Sequence, residues 1–177
     1  MKDYALTPAD LGHMRTHAAR ARNAFERFLW SIAFWCRRAR VIPSRDGRGP
    51  YLLRVVLVPR VWLLPGLYLH YFFASDVEEE LHDHPWSALA LILAGGYVEE
   101  RYEAGQRVWR VRLPGDVVYL AQSTAHHVTL FRGGSWSLFS PFWRNDLPDD
   151  LSWGFHWPEE RRYMAQGAYR KMRGELR

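Results

Sequence analysis

The chain has 177 residues, a formal net charge of +5, 48% apolar and 15% aromatic residues, a composition that fits one globular domain and excludes a disordered tail. Its single cysteine, Cys36, excludes an intrachain disulfide framework and an iron–sulfur or zinc–thiolate site within one chain, and suits a reducing, cytoplasmic compartment. All but Lys2 and Lys171 of the 24 basic residues are arginines, and their dispersion along the chain argues against a nucleic-acid partner.

The first forty residues read as helix. Thr7-Pro8-Ala9-Asp10 is a capping pattern with proline in the first turn, and Gly12 is a point for an early break. From Asn23 the apolar positions Phe25, Phe28, Leu29, Ile32 and Trp35 or Cys36 recur at three- and four-residue steps, followed by Arg37, Arg38 and Arg40, which suit a helix C-terminus. Such a stripe requires a cover. Packing against the rest of the protein or against a second copy in a homodimer is the expected answer, with a membrane-surface helix as the alternative. The run from Phe28 to Cys36 is far short of the roughly 20 residues a membrane span needs, and the arginines before it do not suit a signal peptide.

Ile42 through Pro50 is a connector rich in Ser, Asp, Gly and Pro. The pattern then changes to short runs bounded by turn residues: Tyr51–Val58, Leu67–Ala74, Trp86–Leu93, Tyr97–Glu103, Arg107–Leu113, Val117–Ala121, His126–Phe131 and Trp136–Trp143. So many short strands predict a mainly β barrel or sandwich. Ala104-Gly105-Gln106 and Arg132-Gly133-Gly134-Ser135 suit hairpin loops, and Leu113-Pro114-Gly115-Asp116 is a turn. The polar tail from Pro158 reads as a short helix.

Histidine placement carries the chemistry. In an extended segment His82 and His84 project to the same side, roughly 6 to 7 Å apart at the backbone, while Asp83 points away. Both imidazoles can then reach one metal ion, and a third from another strand leaves open positions for water, dioxygen or substrate. His126 and His127 lie on opposite faces of their strand; His126 is the expected third ligand, and a bulge would exchange the two.

With His82-Asp83-His84 in place, the sequence resembles the cupin superfamily. In its first motif, Gly-x5-His-x-His-x3,4-Glu-x6-Gly, Gly95 takes the closing glycine, while Asp76 stands for the opening one and Ala88 for the glutamate. In its second, Gly-x5-Pro-x-Gly-x2-His-x3-Asn, Gly115 opens and His126 takes the ligand position, while Ala121, Ser123 and Leu130 depart from the pattern. His82-Asp83-His84-Pro85-Trp86, Gly95-Gly96-Tyr97 and Trp153-Gly154-Phe155-His156 also look like a group of small bacterial cupin-like proteins. The resemblance implies a double-stranded β-helix, or jelly-roll barrel, over residues 46–157, flanked by an N-terminal helical segment (1–45) and a C-terminal tail (158–177). It implies a metal held by His82, His84 and His126, similar to the three-histidine iron of thiol dioxygenases. Fe(II) is the expected cofactor, with zinc, manganese or nickel as alternatives.

The missing motif glutamate could be restored by Glu78, Glu79, Glu80 or Glu100, although the Glu78–Glu80 run suits solvent better. His156 is a candidate acid/base or buried structural group. Tyr97 is a candidate catalytic residue lining the pocket, and otherwise a barrel filler like Trp86, Trp109, Tyr119, Trp136 and Trp143. Alternation on the Arg107–Leu113 strand places Arg110 and Arg112 outside, with no role. Ser123 and Thr124 lack the ordering of a serine hydrolase. The functional expectation is a non-haem Fe(II) dioxygenase-type oxidoreductase acting on a small molecule. The alternatives are a metal-dependent isomerase or lyase and a non-enzymatic small-ligand binder.

Overall fold

Thr7 and Asp10 close the first helix reciprocally in the computed structural model, which describes residues 6–61, 64–131, 133–144, 147–148 and 150–174. The Thr7 hydroxyl accepts from the Asp10 backbone N–H and the Asp10 carboxylate accepts from that of Thr7, the capping box anticipated from the motif. Helix α1 (Pro8–Ala18) runs through Gly12 without a break. Helix α2 (Ala24–Trp35) starts at Asn23, whose side-chain oxygen accepts from Glu26 N at 2.8 Å. It stops before the arginines expected to complement its end. Strand β1 (Ala39–Pro43) takes Arg40 instead, because its backbone finds an antiparallel ladder on β2 (Pro50–Val58).

All the expected strands form: β2, β3 (Leu67–Phe72), β5 (Trp86–Ala94), β6 (Tyr97–Glu103), β7 (Gln106–Arg112), β8 (Val117–Leu120), β9 (His126–Leu130) and β10 (Ser135–Arg144). Joining them are β1, β4 (Leu81–His82), β11 (Gly154–Trp157) and β12 (Arg162–Ala165), and helix α3 (Gln166–Met172) follows. The strands make two antiparallel six-stranded sheets, ordered β1-β2-β3-β10-β5-β8 and β12-β11-β4-β9-β6-β7. The fold is therefore a mainly β sandwich of jelly-roll type. The strand layers extend past the expected limits of 46 and 157, since β1 opens the first sheet and β12 closes the second.

Alternation in the first sheet builds two cores. One face of β2, β3 and β10 presents Leu53, Val55, Leu69, Tyr71 and Trp136 to Met14, Leu29, Trp30 and Ala33 of the helices, all buried. Trp30 packs against Tyr71 and Trp136 with ring centroids 4.7 and 4.9 Å apart. The other face, with Ala88, Ala90, Ile92 and Phe139, meets Tyr97 and Val128 of the second sheet. At the β5–β6 turn Gly95 holds φ +79°, and a Cβ there would overlap the Gly134 carbonyl oxygen; only glycine fits this position.

The chain thus covers a different arc of α2 from the stripe expected, most of which stays open. Glu26, Leu29, Trp30 and Ala33 are buried, while Phe25, Phe28 and Trp35 are exposed. The buried Glu26 is tolerated because Arg22 binds its carboxylate at 3.0 Å. Among the described residues no helix is long and apolar enough to cross a membrane.

Candidate metal centre

Three elements bring His82, His84 and His126 together. His82 ends β4, and its Cα partner across the ladder is His126 on β9; His84 follows two residues later in the same extended segment. One nitrogen from each ring lies within 4.8 Å of the others, and the ring centroids are all 5.0 Å apart. His84 Nε2 and His126 Nε2 are 2.8 Å apart. Two nitrogens at the usual imidazole–metal distance, at right angles about one ion, lie about 3 Å apart, so the spacing fits a shared cation.

Burial pushes His82 and His84 well below the ordinary histidine range, and the adjoining His126 pushes them further. Neutral imidazoles are the form that ligates. Glu99 Oε1 accepts from His126 Nδ1 at 3.0 Å, which leaves the His126 Nε2 lone pair aimed at the cluster. Arg101 (2.8 Å) and Arg112 (2.7 Å) also bind the Glu99 carboxylate. Burial pushes this carboxyl up, but His126 and Arg101 outweigh that and hold it at about 2. Asp76 is the other carboxylate nearby: it accepts from Tyr51 OH (2.5 Å) and Val128 N (2.6 Å), and its Oδ2 stands 3.9 Å from His82 Nδ1.

The histidines form part of the wall of a cavity of about 300 Å³ between the sheets, otherwise lined mainly by apolar side chains such as Phe72, Tyr97, Leu120, Val128 and Phe139. That volume suits a small molecule. Opposite the cluster, Arg54 Nε donates to His70 Nε2 at 3.0 Å. Burial and the charges of Arg54 and Arg40 keep His70 well below its usual range.

The two antiparallel sheets and the converging histidines are the arrangement that the sequence resemblance implied. No family model matches the sequence, and no curated protein matches it. Among solved structures there is partial similarity to Fe(II)-HppE (TM-score 0.47, 14% identity, 59% of this chain and 56% of that one). Hydroxypropylphosphonic acid epoxidase from S. wedmorenis gives a TM-score of 0.45 at 12% identity over 59% of this chain and 55% of that one. An oxalate decarboxylase from Bacillus subtilis gives 0.45 at 13% identity over 60% and 27%. The chain spans just over half the length of the first two and about a quarter of the third.

The other candidates lie outside the three-histidine group, although Glu78 and Tyr97 line the same cavity. His127 occupies the opposite face of β9, paired with Glu100. Glu100 binds Arg107 at 2.6 Å, Glu78 binds Arg45 at 3.0 Å, and Glu80 accepts from Tyr169 OH at 3.1 Å; none of them, nor Glu79, is in the three-histidine group. His156 is not among the residues lining the cavity: its Nε2 is 2.8 Å from Asp83 Oδ2, while Asp83 Oδ1 accepts from Gly154 N at 2.7 Å. This tie joins β11 to the segment carrying the histidines. Tyr97 is buried in the cavity wall, and burial raises its phenol pKa.

The strand β7 reading is inverted. Arg110 and Arg112 lie on the inward side, bound to Glu103 and Glu99, and Trp109 is 61% exposed; carboxylate partners outweigh the preference for an apolar inner face. Tyr119 and Trp143 are also exposed rather than barrel fillers. Glu99 was missed from the sequence although it shares a strand face with Tyr97, two residues earlier.

Proposed function

We propose that the chain is a metal-dependent enzyme of the non-haem Fe(II) oxygenase type, acting on a small, largely apolar molecule. The observation that carries this reading is the convergence of three imidazole nitrogens in the wall of an apolar cavity, with a buried carboxylate fixing one ring from behind. His82, His84 and His126 are the proposed ligands. Bound there, Fe(II) would supply a redox centre at which dioxygen and substrate meet.

The chain's own residues prepare that site. Glu99 holds the His126 Nδ1 proton in place, so that His126 Nε2 is the acceptor in the 2.8 Å contact with His84 Nε2; with a cation bound, both Nε2 atoms would present lone pairs to it. The apolar part of the wall favours an apolar substrate beside the histidines. Tyr97 keeps its phenol proton and is the proposed donor to a polar substrate atom. His156, anchored on Asp83, is assigned the task of holding the ligand segment rather than a chemical step.

Protein produced with iron should contain about one metal per chain, and His84→Ala should remove it. Full occupancy in that variant would refute the ligand assignment. A second reading is favoured by the all-imidazole donor set, which also serves zinc as a Lewis acid. Oxygen uptake across a panel of small thiols and apolar acids separates the two: the iron reading requires substrate-dependent consumption, and its absence in an iron-loaded protein that turns over substrate favours Lewis-acid chemistry.

A further inference from the structure

Helix α2 carries an apolar face that the fold does not use. Phe25, Phe28 and Trp35 lie along one arc of the helix and are 47%, 59% and 87% exposed, while Ile32 between them packs partly against the core. The end of β2 continues the surface. Val56 N donates to Arg38 O at 2.8 Å, beside the helix C-terminus, and the next two residues, Leu57 and Val58, are exposed.

The exposed charges along this segment have one sign. Between Ala24 and Arg45 the only acid is Glu26, which is buried and bound to Arg22. Arg27, Arg37 and Arg38 are exposed. Other arginines, such as Arg45, Arg107, Arg110 and Arg112, bind carboxylates; among the described residues Arg27, Arg37 and Arg38 have none within the 4.0 Å of an ion pair.

We propose that α2 and the adjoining end of β2 form a docking surface for an anionic phospholipid bilayer, with Phe25, Phe28 and Trp35 entering the headgroup boundary and Arg27, Arg37 and Arg38 meeting lipid phosphates. Exposed aromatics on a short helix flanked by cations are the combination that holds a helix in the plane of an interface. A second copy is the weaker occupant. A twofold interface on this face sets each patch against itself and brings Arg27, Arg37 and Arg38 towards the same unneutralised charges. The proposal is independent of the metal reading, because α2 packs on the side of the first sheet away from the cavity.

The test is co-sedimentation of the full chain with vesicles of phosphatidylglycerol and phosphatidylcholine, and with phosphatidylcholine alone, at low and high salt. Expected are binding to the anionic vesicles, its weakening by salt, and protection of Trp35 from acrylamide quenching, read as the difference between wild type and Trp35→Phe. Phe28→Ser with Trp35→Ser should lower vesicle affinity at least tenfold. Each of Arg37→Gln and Arg38→Gln should lower it about fivefold, the worth of one cation near an anionic leaflet. Both positions are exposed, so unchanged far-ultraviolet circular dichroism serves as the folding control. No binding at low salt overturns the proposal, as does equal binding to both vesicle types or full binding by the Phe28/Trp35 double variant. A concentration-dependent dimer that this double variant abolishes, without vesicle binding by the wild type, assigns the face to self-association and overturns it too.

Discussion

Glu99 stands behind His126, its Oε1 accepting from Nδ1 at 3.0 Å while Arg101 and Arg112 hold the same carboxylate. A carboxylate placed this way fixes the tautomer and the aim of a ligating ring, and removing such a partner costs about 10 to 100-fold in metal affinity. Glu99→Gln keeps the volume and loses the charge, so that loss is expected in a competition titration against a chelator. Arg112→Gln is the control, since it weakens the ion-pair cluster without touching the ring: its melting temperature should fall while metal affinity changes less than about threefold. Equal affinities for Glu99→Gln and wild type would remove the orienting role.

Neighbouring histidines on β9 give a second contrast. His126 reaches the cluster, and His127 occupies the other face opposite Glu100. His126→Ala should lose the metal measured by elemental analysis, and His127→Ala should retain about one ion per chain. The reverse outcome would mean that the strand register differs by one residue in solution.

The face assignment on β9 was legible because alternation along a strand is strict. The same rule, applied to Tyr97, also places Glu99 inward. What it lacked was a reason to bury a carboxylate, which is costly without partners; Arg101 lies on the same strand, but Arg112 arrives only once β6 and β7 pair. Strand β4 spans only Leu81–His82, too short for any period to show, and β11 was hidden in an aromatic segment with no alternation. Strand β1 was masked by arginines that suit a helix end equally well. On α2 the apolar residues extend around most of the helix, so spacing alone could not decide which arc faces the sheet. On the arc that does face it, Arg22 neutralises the one carboxylate, Glu26.

That choice of arc is testable by stability. Trp30 is buried against Tyr71 and Trp136, and truncating a buried aromatic of this kind costs about 3 to 5 kcal/mol. Trp35 sits on the open arc, where substitutions usually change stability by less than about 0.5 kcal/mol. In urea titrations Trp30→Ala should lower the midpoint strongly and Trp35→Ala should leave it nearly unchanged. A large loss at Trp35 with little at Trp30 would return α2 to the arc expected from the sequence.

Tyr71 links the helical layer to the first sheet and gives that junction an alkaline limit. Its hydroxyl donates to Gly133 O at 2.6 Å and lies 3.0 Å from His17 Nδ1. Burial pushes His17 below its usual range, with Arg20 and His13 adding to the effect, so the neutral ring supplies the Nδ1 proton. Burial, with the Glu26 charge behind it, raises the Tyr71 phenol to about 12, against an ordinary value of 10.0. Between those values the unfolded chain loses the proton and the folded chain keeps it, so unfolding releases a proton and becomes easier as pH rises. The stabilising contribution is therefore complete below pH 10 and lost by about pH 12; at about 1.4 kcal/mol per unit it amounts to about 2 to 3 kcal/mol. Tyr71→Phe should be less stable than wild type at pH 9 because it lacks the hydrogen bond, and its stability should fall less steeply through pH 10 to 12 in urea unfolding followed by circular dichroism. Parallel pH profiles for the two proteins would mean that Tyr71 titrates normally and that its contact with Gly133 does not persist in solution.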